Sequence, residues 1–275
     1  MIEAFRIPFM QQALLAAVLV SSACAFLAVF VVLKRIVFVG MALAQLSSAG
    51  VALGLMLGLM ENVHLTLFSL LFMLAGVALF AAPVAGRRLP RESLVGAVYS
   101  LASALGVLLV ARSAAGESRM LGLLFGNILA ASPWDNLTMA AVFAGTGLVH
   151  WLFHKEFVFV SFDPEMAQTV GLRAGAWDLL LHLTLGATIA VAIRTAGALL
   201  VFTFLVVPGM VGLGVGRGLR AAFVASVVAA VVPAVVGLYL SFALDLPTAA
   251  TMVVLSLAVL LLSAPLRRVL PRAGA

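Results

Sequence analysis

Long apolar runs separated by short polar segments dominate the pattern along this chain. A membrane-spanning helix needs about 20 predominantly apolar residues to cross roughly 30 Å of hydrocarbon. Nine runs approach that length, and they cover residues 10–33, 40–59, 64–86, 93–111, 135–154, 177–193, 196–215, 221–243 and 248–266. The pattern therefore predicts an all-α, polytopic integral membrane protein.

Two of these runs, 177–193 and 196–215, are separated only by Arg194 and Thr195. So short a break fits either two spans or one segment that is short, broken or re-entrant, and the prediction is eight or nine transmembrane helices. The segment LGLLFGNILAAS, residues 120–131, is too short to cross. It is predicted to dip into the membrane or to lie at its interface.

Composition agrees with this pattern and limits the function. The 275 residues are 65% hydrophobic and 9% charged, whereas a soluble domain is roughly 45–50% apolar and about 25% charged. The longest hydrophilic block lies between His154 and Asp178 and leaves no room for a soluble catalytic or nucleotide-binding domain. Residues 1–275 are therefore interpreted as a single membrane domain that is not an enzyme. The energy for any transport must come from a partner or an ion gradient.

The basic residues predict an orientation. When the loops are assigned to alternate sides, one side holds Arg6, Arg112, Arg119 and Arg194, and the other holds the remaining twelve of the 16 Lys and Arg residues. Because basic residues favour cytoplasmic loops, the N-terminus is predicted outside and the C-terminus inside, with the loop at 155–176 in the cytoplasm. The net charge of +6 is assigned to topology and lipid headgroups, and nucleic acid is not an expected partner.

The second run carries polar residues on one side. In FVGMALAQLSSAGVALGLMLG, residues 38–58, a polar stripe is formed by Met41, Gln45, Ser48 and Ala52. These four fall within about 60° of one another at roughly 100° per residue. The stripe either hydrogen-bonds to a neighbouring helix or lines a translocation path, because polar groups at bilayer depth usually face a cavity or the bundle interior. No Asp, Glu, Lys or Arg lies deep in any predicted span, which favours the path.

The opposite side of the same run carries glycine at every fourth position. Gly50, Gly54 and Gly58 form a small-xxx-small pattern. Such a pattern lets the backbone of another helix approach closely, which is how membrane helices pack without a hydrophobic driving force. These three glycines are therefore predicted to be helix-packing residues.

The remaining ionisable candidates fall near predicted helix ends. Asp178 and His182 stand one helical turn apart near a predicted cytoplasmic end, so they form either a hydrogen-bonded pair or two ligands of a metal ion. For the others, solvation or interfacial anchoring is the expected role: Glu61, His64, His150, His154 and Asp245.

The loop between the fifth and sixth runs predicts one short helix. Residues 161–178 read SFDPEMAQTVGLRAGAWD. Asp163 can cap a helix with Pro164 at its first position and Glu165 in its first turn, and Gly171 can end it. A two-turn helix of this kind fits a groove on a partner protein, and it also fits an ordinary loop helix.

Four segments, taken in order, resemble a known family. They are VVLKRIVFVGMALAQLSSAGVALG, LFGNILAAS, SFDPEMAQTVGLRAGAWDLLL and TAGALLVFTFLVVPGMVGL. This order and spacing, from about Pro8 to Arg268, is similar to the permease subunit of the metal-ion ABC importers that carry zinc, manganese or iron.

The resemblance implies a homodimeric, multi-pass subunit of a bacterial inner membrane that works by alternating access. It implies a separate ATP-binding subunit, which holds the ATP and Mg²⁺, and an extracellular or periplasmic solute-binding protein. No cofactor is expected in this chain. The family's cytoplasmic coupling helix, which docks on the ATPase, falls here on Asp163, Pro164, Glu165, Met166, Ala167 and Gly171.

The family's metal ligands are replaced in this chain. The family binds its ion with the Asp and His of a G-D-x-L-x-H motif, which here falls on Gly40, Met41, Leu43 and Gln45. The family's LFGD segment has Asn127 in place of the acid. Carboxylate and imidazole suit Zn²⁺ or Mn²⁺, whereas thioether and amide do not, so no metal ligand is carried over to this chain.

Several cargoes and one other class of protein remain open. The chain fits a metal importer with a weak intramembrane site, a carrier of a soft ion such as Cu(I), and a permease for a siderophore-like or cobalamin-like chelate. A stand-alone secondary transporter or channel would usually need a charged relay within the membrane, and the predicted spans contain none.

Overall fold

The computed structural model describes residues 7–59, 62–81, 91–113 and 126–269. The helices are α1 (Pro8–Leu33), α2 (Val37–Met56), α3 (Asn62–Ala81), α4 (Arg91–Ala111), α5 (Pro133–Leu152), α6 (His154–Phe162), α7 (Pro164–Thr169), α8 (Ala174–Val215), α9 (Leu219–Leu244) and α10 (Thr248–Val269), with a 3₁₀ turn at Ile128–Ala130. These ranges contain no β-strand. The all-α prediction is confirmed.

Seven of the described helices are long and apolar enough to cross a membrane: α1, α2, α3, α4, α8, α9 and α10. An eighth candidate is α5 together with α6, which are bent by 76° relative to each other. α1 and α8 are the most buried, each at 61% of its most apolar window, and α4 and α10 the least, at 22%. The molecule is therefore a helical bundle built around α1 and α8, as expected for a polytopic membrane protein.

Two ion pairs between helices mark the opposite ends of the bundle. At one end, the ammonium of Lys34 lies 2.7 Å from Oδ1 of Asp178, near the start of α8. At the other, Nη2 of Arg194 lies 3.5 Å from Oδ1 of Asp135, near the start of α5. We call these the Asp178 end and the Arg194 end. α1 connects them, because Gln12 near its start accepts a hydrogen bond from Asn136 at the Arg194 end.

The long helix α8 turns back on itself. Its 42 residues would extend about 63 Å if straight, twice the roughly 30 Å of a bilayer core. The first part runs from Asp178 at one end of the bundle to Arg194 at the other. Gly197 then interrupts the helix with φ 78° and ψ 159°. Glycine adopts a positive φ without the steric cost of a side chain.

Contacts beyond this break show the direction of the second part. Gly209 packs so closely on α1 that an added Cβ would lie 2.4 Å from the carbonyl oxygen of Ala28. Ala28 lies about 24 Å along α1 from Gln12, toward the Asp178 end. The chain has therefore reversed at Gly197, and α8 contains two antiparallel segments.

Because α8 reverses at Gly197, its two halves count as two candidate crossings of the membrane in the described part of the chain. The seven long helices, the α5–α6 pair and the second half of α8 make nine candidate crossings. Of the predicted segment 120–131, residues 120–125 lie outside the described ranges. Its C-terminal part forms the 3₁₀ turn at Ile128–Ala130.

The prediction of a single helix between the fifth and sixth runs was wrong. Two helices lie there, α6 and α7, since the nine residues His154–Phe162 form a helix of their own. Phe157 in α6 is 1% exposed and packs with Phe30 and Leu181. The nine residues show no clear amphipathic period, and α6 is held against the end of the bundle by the burial of this aromatic side chain.

Candidate functional site

The polar stripe of α2 has no hydrogen-bond partner among the described residues. Met41 and Gln45 are half-buried, Ser48 is 8% exposed and Ala52 is fully buried. Neither Gln45 nor Ser48 makes a side-chain hydrogen bond within the described ranges. The first predicted alternative, in which the stripe hydrogen-bonds to a neighbouring helix, therefore has no support among the described residues of the same protomer.

Ser47, beside the stripe, behaves differently. It is fully buried, and its Oγ lies 2.5 Å from Oγ of Ser69 on α3. Ser69 in turn donates to the carbonyl of Ala190 on α8, at 3.4 Å. Ser47 therefore joins three helices. Sequence reasoning missed this role, although its position on the glycine side of α2 is the signal that predicts it.

Two of the three glycines predicted to pack lie against α3. A Cβ added to Gly50 would lie 2.4 Å from the carbonyl oxygen of Phe68, and one added to Gly54 would lie 2.9 Å from Cδ2 of Leu65. At Gly50 the added Cβ would meet the backbone of α3 itself, so the two helices are in close contact there.

The structure contradicts the packing role predicted for the third glycine, Gly58. It follows the last turn of α2 with φ 75°, and an added Cβ would meet no atom of the described residues within 4 Å. Its N–H donates to Leu55, and the N–H of Leu59 donates to Gly54. This hydrogen-bond pattern is a Schellman helix end, so Gly58 terminates the helix and does not pack it.

The short helix α7 has the cap that its sequence suggests. The N–H of Met166 donates to Oδ1 of Asp163 at 2.9 Å, and Pro164 occupies the first turn. Gly171, with φ 90°, follows the helix and lets the chain turn back toward α8.

Most of α7 faces outward. Only Ala167 is buried, against Val160 and Ala174, whereas Glu165 is exposed. Three large apolar side chains on and around the helix are also exposed, by 57 to 66%: Phe162, Met166 and Val170. The end of the bundle therefore presents a small apolar face beside an acidic side chain.

A cleft of about 760 Å³ opens at the Asp178 end. It lies between the α1–α2 turn, the start of α4, α7 and the start of α8. Among the described residues, apolar side chains form most of its wall, and the polar side chains that line it are Lys34, Arg35, Glu92, Gln168, Asp178 and His182. The first residues of α2, Val37 to Val39, also line it, so the cleft adjoins the start of the helix that carries the polar stripe.

His150 lies in the interior, and the expectation of an interfacial anchor was wrong for it. It is 0% exposed. Its Nε2 lies 2.9 Å from Oγ1 of Thr184, and its ring stacks on Phe157 with centroids 4.1 Å apart. His150 therefore joins α5, α6 and α8 beside the 76° bend.

At the Arg194 end, both members of the Arg194–Asp135 ion pair also hydrogen-bond to residues near the starts of α3 and α5. Asp135 accepts from the main-chain N–H and the hydroxyl of Ser132, which caps α5, and Arg194 donates to Oγ1 of Thr66 on α3. The N–H of Asn127 donates to the carbonyl of Thr195 at 2.9 Å. Of the residues predicted at outer ends, Asp245 is exposed at the end of α9, and Glu61 lies outside the described residues.

In the part of the chain that the structure describes, no group of three or more His, Cys, Asp or Glu side chains has the arrangement of a metal site. At the stripe, a thioether and an amide stand where a charged ligand would be needed. Neither offsets the cost of removing water from a dication.

Comparison with known proteins places these features in a family. The family model described as "ABC 3 transport family" matches residues 6–267. The manganese transport system membrane protein MntC of Halalkalibacterium halodurans is 27% identical over 90% of this chain and 84% of its own. The manganese import system permease protein ScaB of Streptococcus gordonii is 25% identical over 96% and 94%.

A solved structure is similar throughout. PsaBC from Streptococcus pneumoniae, in complex with Fab, superposes with a TM-score of 0.87 at 25% identity and covers 97% of this chain and 96% of that one. The resemblance seen in the sequence is thus confirmed over nearly the whole length. This chain belongs to the ABC 3 transport family.

Proposed function

We propose that this protein is the permease subunit of an ABC importer for a divalent metal ion of the zinc, manganese or iron class. The observation that carries the proposal is the family match over residues 6–267. Two relatives in that family are named for manganese transport or import. In this reading a separate subunit binds ATP and Mg²⁺, and a solute-binding protein delivers the ion.

The exposed face of α7 is the proposed docking surface for the ATPase. Asp163 and Pro164 fix the helix start, Ala167 anchors it, and Met166 projects with 57% exposure. An apolar face on a short, rigid helix suits insertion into a groove of a partner.

Two copies of the chain form the proposed path. Met41 and Gln45 are half-buried, and no hydrogen bond joins Gln45 to described residues of its own protomer. In a homodimer, two such stripes facing each other enclose a polar channel. Polar groups at bilayer depth are expected to face an interior of this kind.

The proposed orientation places the Asp178 end in the cytoplasm. α7 lies at that end, and so do the exposed basic side chains of Arg35, Lys155 and Arg217, as the positive-inside rule expects. α1 begins at the opposite end, so the N-terminus is outside. Five of the basic residues lie outside the described part of the chain: Arg6, Arg87, Arg88, Arg119 and Arg272.

Met41 and Gln45 favour two alternative cargoes. Neutral ligands suit a soft ion such as Cu(I) or a chelate whose charge is already neutralised. Competition separates these cargoes from a divalent ion. Excess Mn²⁺ suppresses uptake of a labelled divalent metal if the pathway takes free ions, and it has no effect if the cargo is a chelate.

Co-purification tests the proposed function. The protein, affinity-tagged and extracted from its native membrane, should bring down an ATP-binding subunit whose hydrolysis rises when the solute-binding protein and Mn²⁺ are added. Isolation without any ATPase, under conditions that preserve other membrane complexes, would contradict the proposal.

A further inference from the structure

We propose that Asp178 and His182 bind a divalent cation in the cleft at the Asp178 end, where the ammonium of Lys34 competes with it. Nothing in the family comparison assigns this site. The physiological source of the ion rests on the proposed function, but binding to the chain does not. Three features support the site: the hydrogen bond of His182, the geometry of Asp178 and the position of the cleft.

The hydrogen bond of His182 determines which nitrogen is free to bind. Its Nδ1 lies 2.7 Å from the main-chain carbonyl oxygen of Asp178. A carbonyl only accepts, so Nδ1 carries a proton, and Nε2 is the ring nitrogen whose lone pair can bind a metal. Nε2 makes no hydrogen bond to a described residue. Metal-binding histidines are typically held this way, with one ring N–H donated to a carbonyl and the other nitrogen on the metal.

Asp178 supplies an anionic oxygen on the same face of α8. The two residues stand one helical turn apart, and Oδ2 lies 3.8 Å from Nδ1 of His182. Because Nδ1 is the protonated nitrogen, the Asp178 carboxylate has to turn away from Lys34 to share a cation held on Nε2. Carboxylate oxygen with imidazole nitrogen is a ligand pair for Mn²⁺, Fe²⁺ or Zn²⁺. It is also the pair, at the same spacing, that the stripe of α2 lacks at Met41 and Gln45.

The cleft gives a cation access to this pair. Asp178, His182 and Glu92 all line the cleft of about 760 Å³. It is wide enough for water to complete the coordination sphere. The negative charge of Glu92 in its lining is offset by the positive charge of Arg35. The start of α2 lines the same cleft, so the Asp178–His182 pair lies on the Asp178 side of the helix that carries the stripe.

Lys34 acts as a built-in competitor. Its ammonium lies 2.7 Å from Oδ1 of Asp178, with the lysine side chain 12% exposed. It neutralises the carboxylate when no cation is bound and repels a dication that approaches it. Because Lys34 is in the turn between α1 and α2, cation binding would also release this turn from the start of α8.

Manganese binding to the purified full-length chain, in detergent and without an ATPase, tests the inference. Unbound Mn²⁺ is measured by its electron paramagnetic resonance signal. Asp178→Asn and His182→Gln should each weaken Mn²⁺ binding by about tenfold or more. Lys34→Met should tighten it several-fold because the competing charge is gone. Lys155→Met, an equivalent change at an exposed lysine outside the cleft, should leave binding unchanged.

Thermal unfolding separates this site from a purely structural ion pair. Lys34→Met leaves a partly buried carboxylate without its cation, so the melting temperature should fall, and added Mn²⁺ should restore it. If the melting temperature falls but Mn²⁺ has no effect, or if Asp178→Asn binds Mn²⁺ like the parent protein, the inference is wrong. If ATP-driven uptake is intact but this site does not bind Mn²⁺, the site is wrong and the proposed importer function stands. If Mn²⁺ binds at this site but no ATP-driven uptake occurs, the importer function is wrong and the site stands.

Discussion

Oγ of Ser47 on α2 lies 2.5 Å from Oγ of Ser69 on α3, whereas Ser48, the next residue, makes no side-chain hydrogen bond within the described ranges. Two adjacent serines of one transmembrane helix therefore have different roles. One joins helices inside the protomer, and the other lies on the polar stripe proposed to line the path.

Ser47→Ala is expected to destabilise the protein, because it removes a buried hydrogen bond between helices. Such bonds in membrane proteins are worth about 1 kcal/mol. Ser48→Ala, the matched control, should change the free energy of unfolding by much less. Denaturant titration in mixed micelles measures both variants. Equal losses for Ser47→Ala and Ser48→Ala would contradict the assignment.

Gly50→Ala should weaken the contact between α2 and α3. The added Cβ would lie 2.4 Å from the main-chain oxygen of Phe68, and overpacking of this kind costs roughly 1–3 kcal/mol. Gly96→Ala is the control, because the same methyl on α4 meets no atom of the described ranges within 4 Å. It should be neutral or slightly stabilising, since alanine favours a helix by about 1 kcal/mol over glycine.

Asp163→Ala should loosen the start of α7, with a loss of about 1 kcal/mol of local helix stability. The expected consequence is that ATP hydrolysis by the assembled transporter responds less to the loaded solute-binding protein. Asp163→Asn keeps an oxygen that caps the helix, and it should retain most of that response. Full stimulation of hydrolysis in Asp163→Ala would argue against α7 as the coupling element.

Periodicity explains why much of this architecture could be predicted. Apolar runs mark the helices, and spacing alone separates the Gly50 side of α2 from the Gln45 side. The reversal at Gly197 was harder to predict, because Arg194 and Thr195 are the only polar residues at that break, and a loop signal is missing.

Contacts between distant residues were not predictable from one sequence. Arg194 with Asp135, and Lys34 with Asp178, are far apart in the chain, and their pairing depends on how the helices assemble. α6 was also missed, since its nine residues show no clear amphipathic period and are held by packing of Phe157. The cleft at the Asp178 end follows from these same non-local contacts.

Uptake of radioactive manganese into proteoliposomes tests the central claim most directly. The vesicles contain this protein with its ATPase subunit, and the solute-binding protein is added outside. We expect ATP-dependent accumulation that Gln45→Trp abolishes, because the indole fills the path, while the ATPase still co-purifies. Accumulation that proceeds without ATP, or that continues at the parent rate in Gln45→Trp, would contradict an ATP-driven pathway along α2.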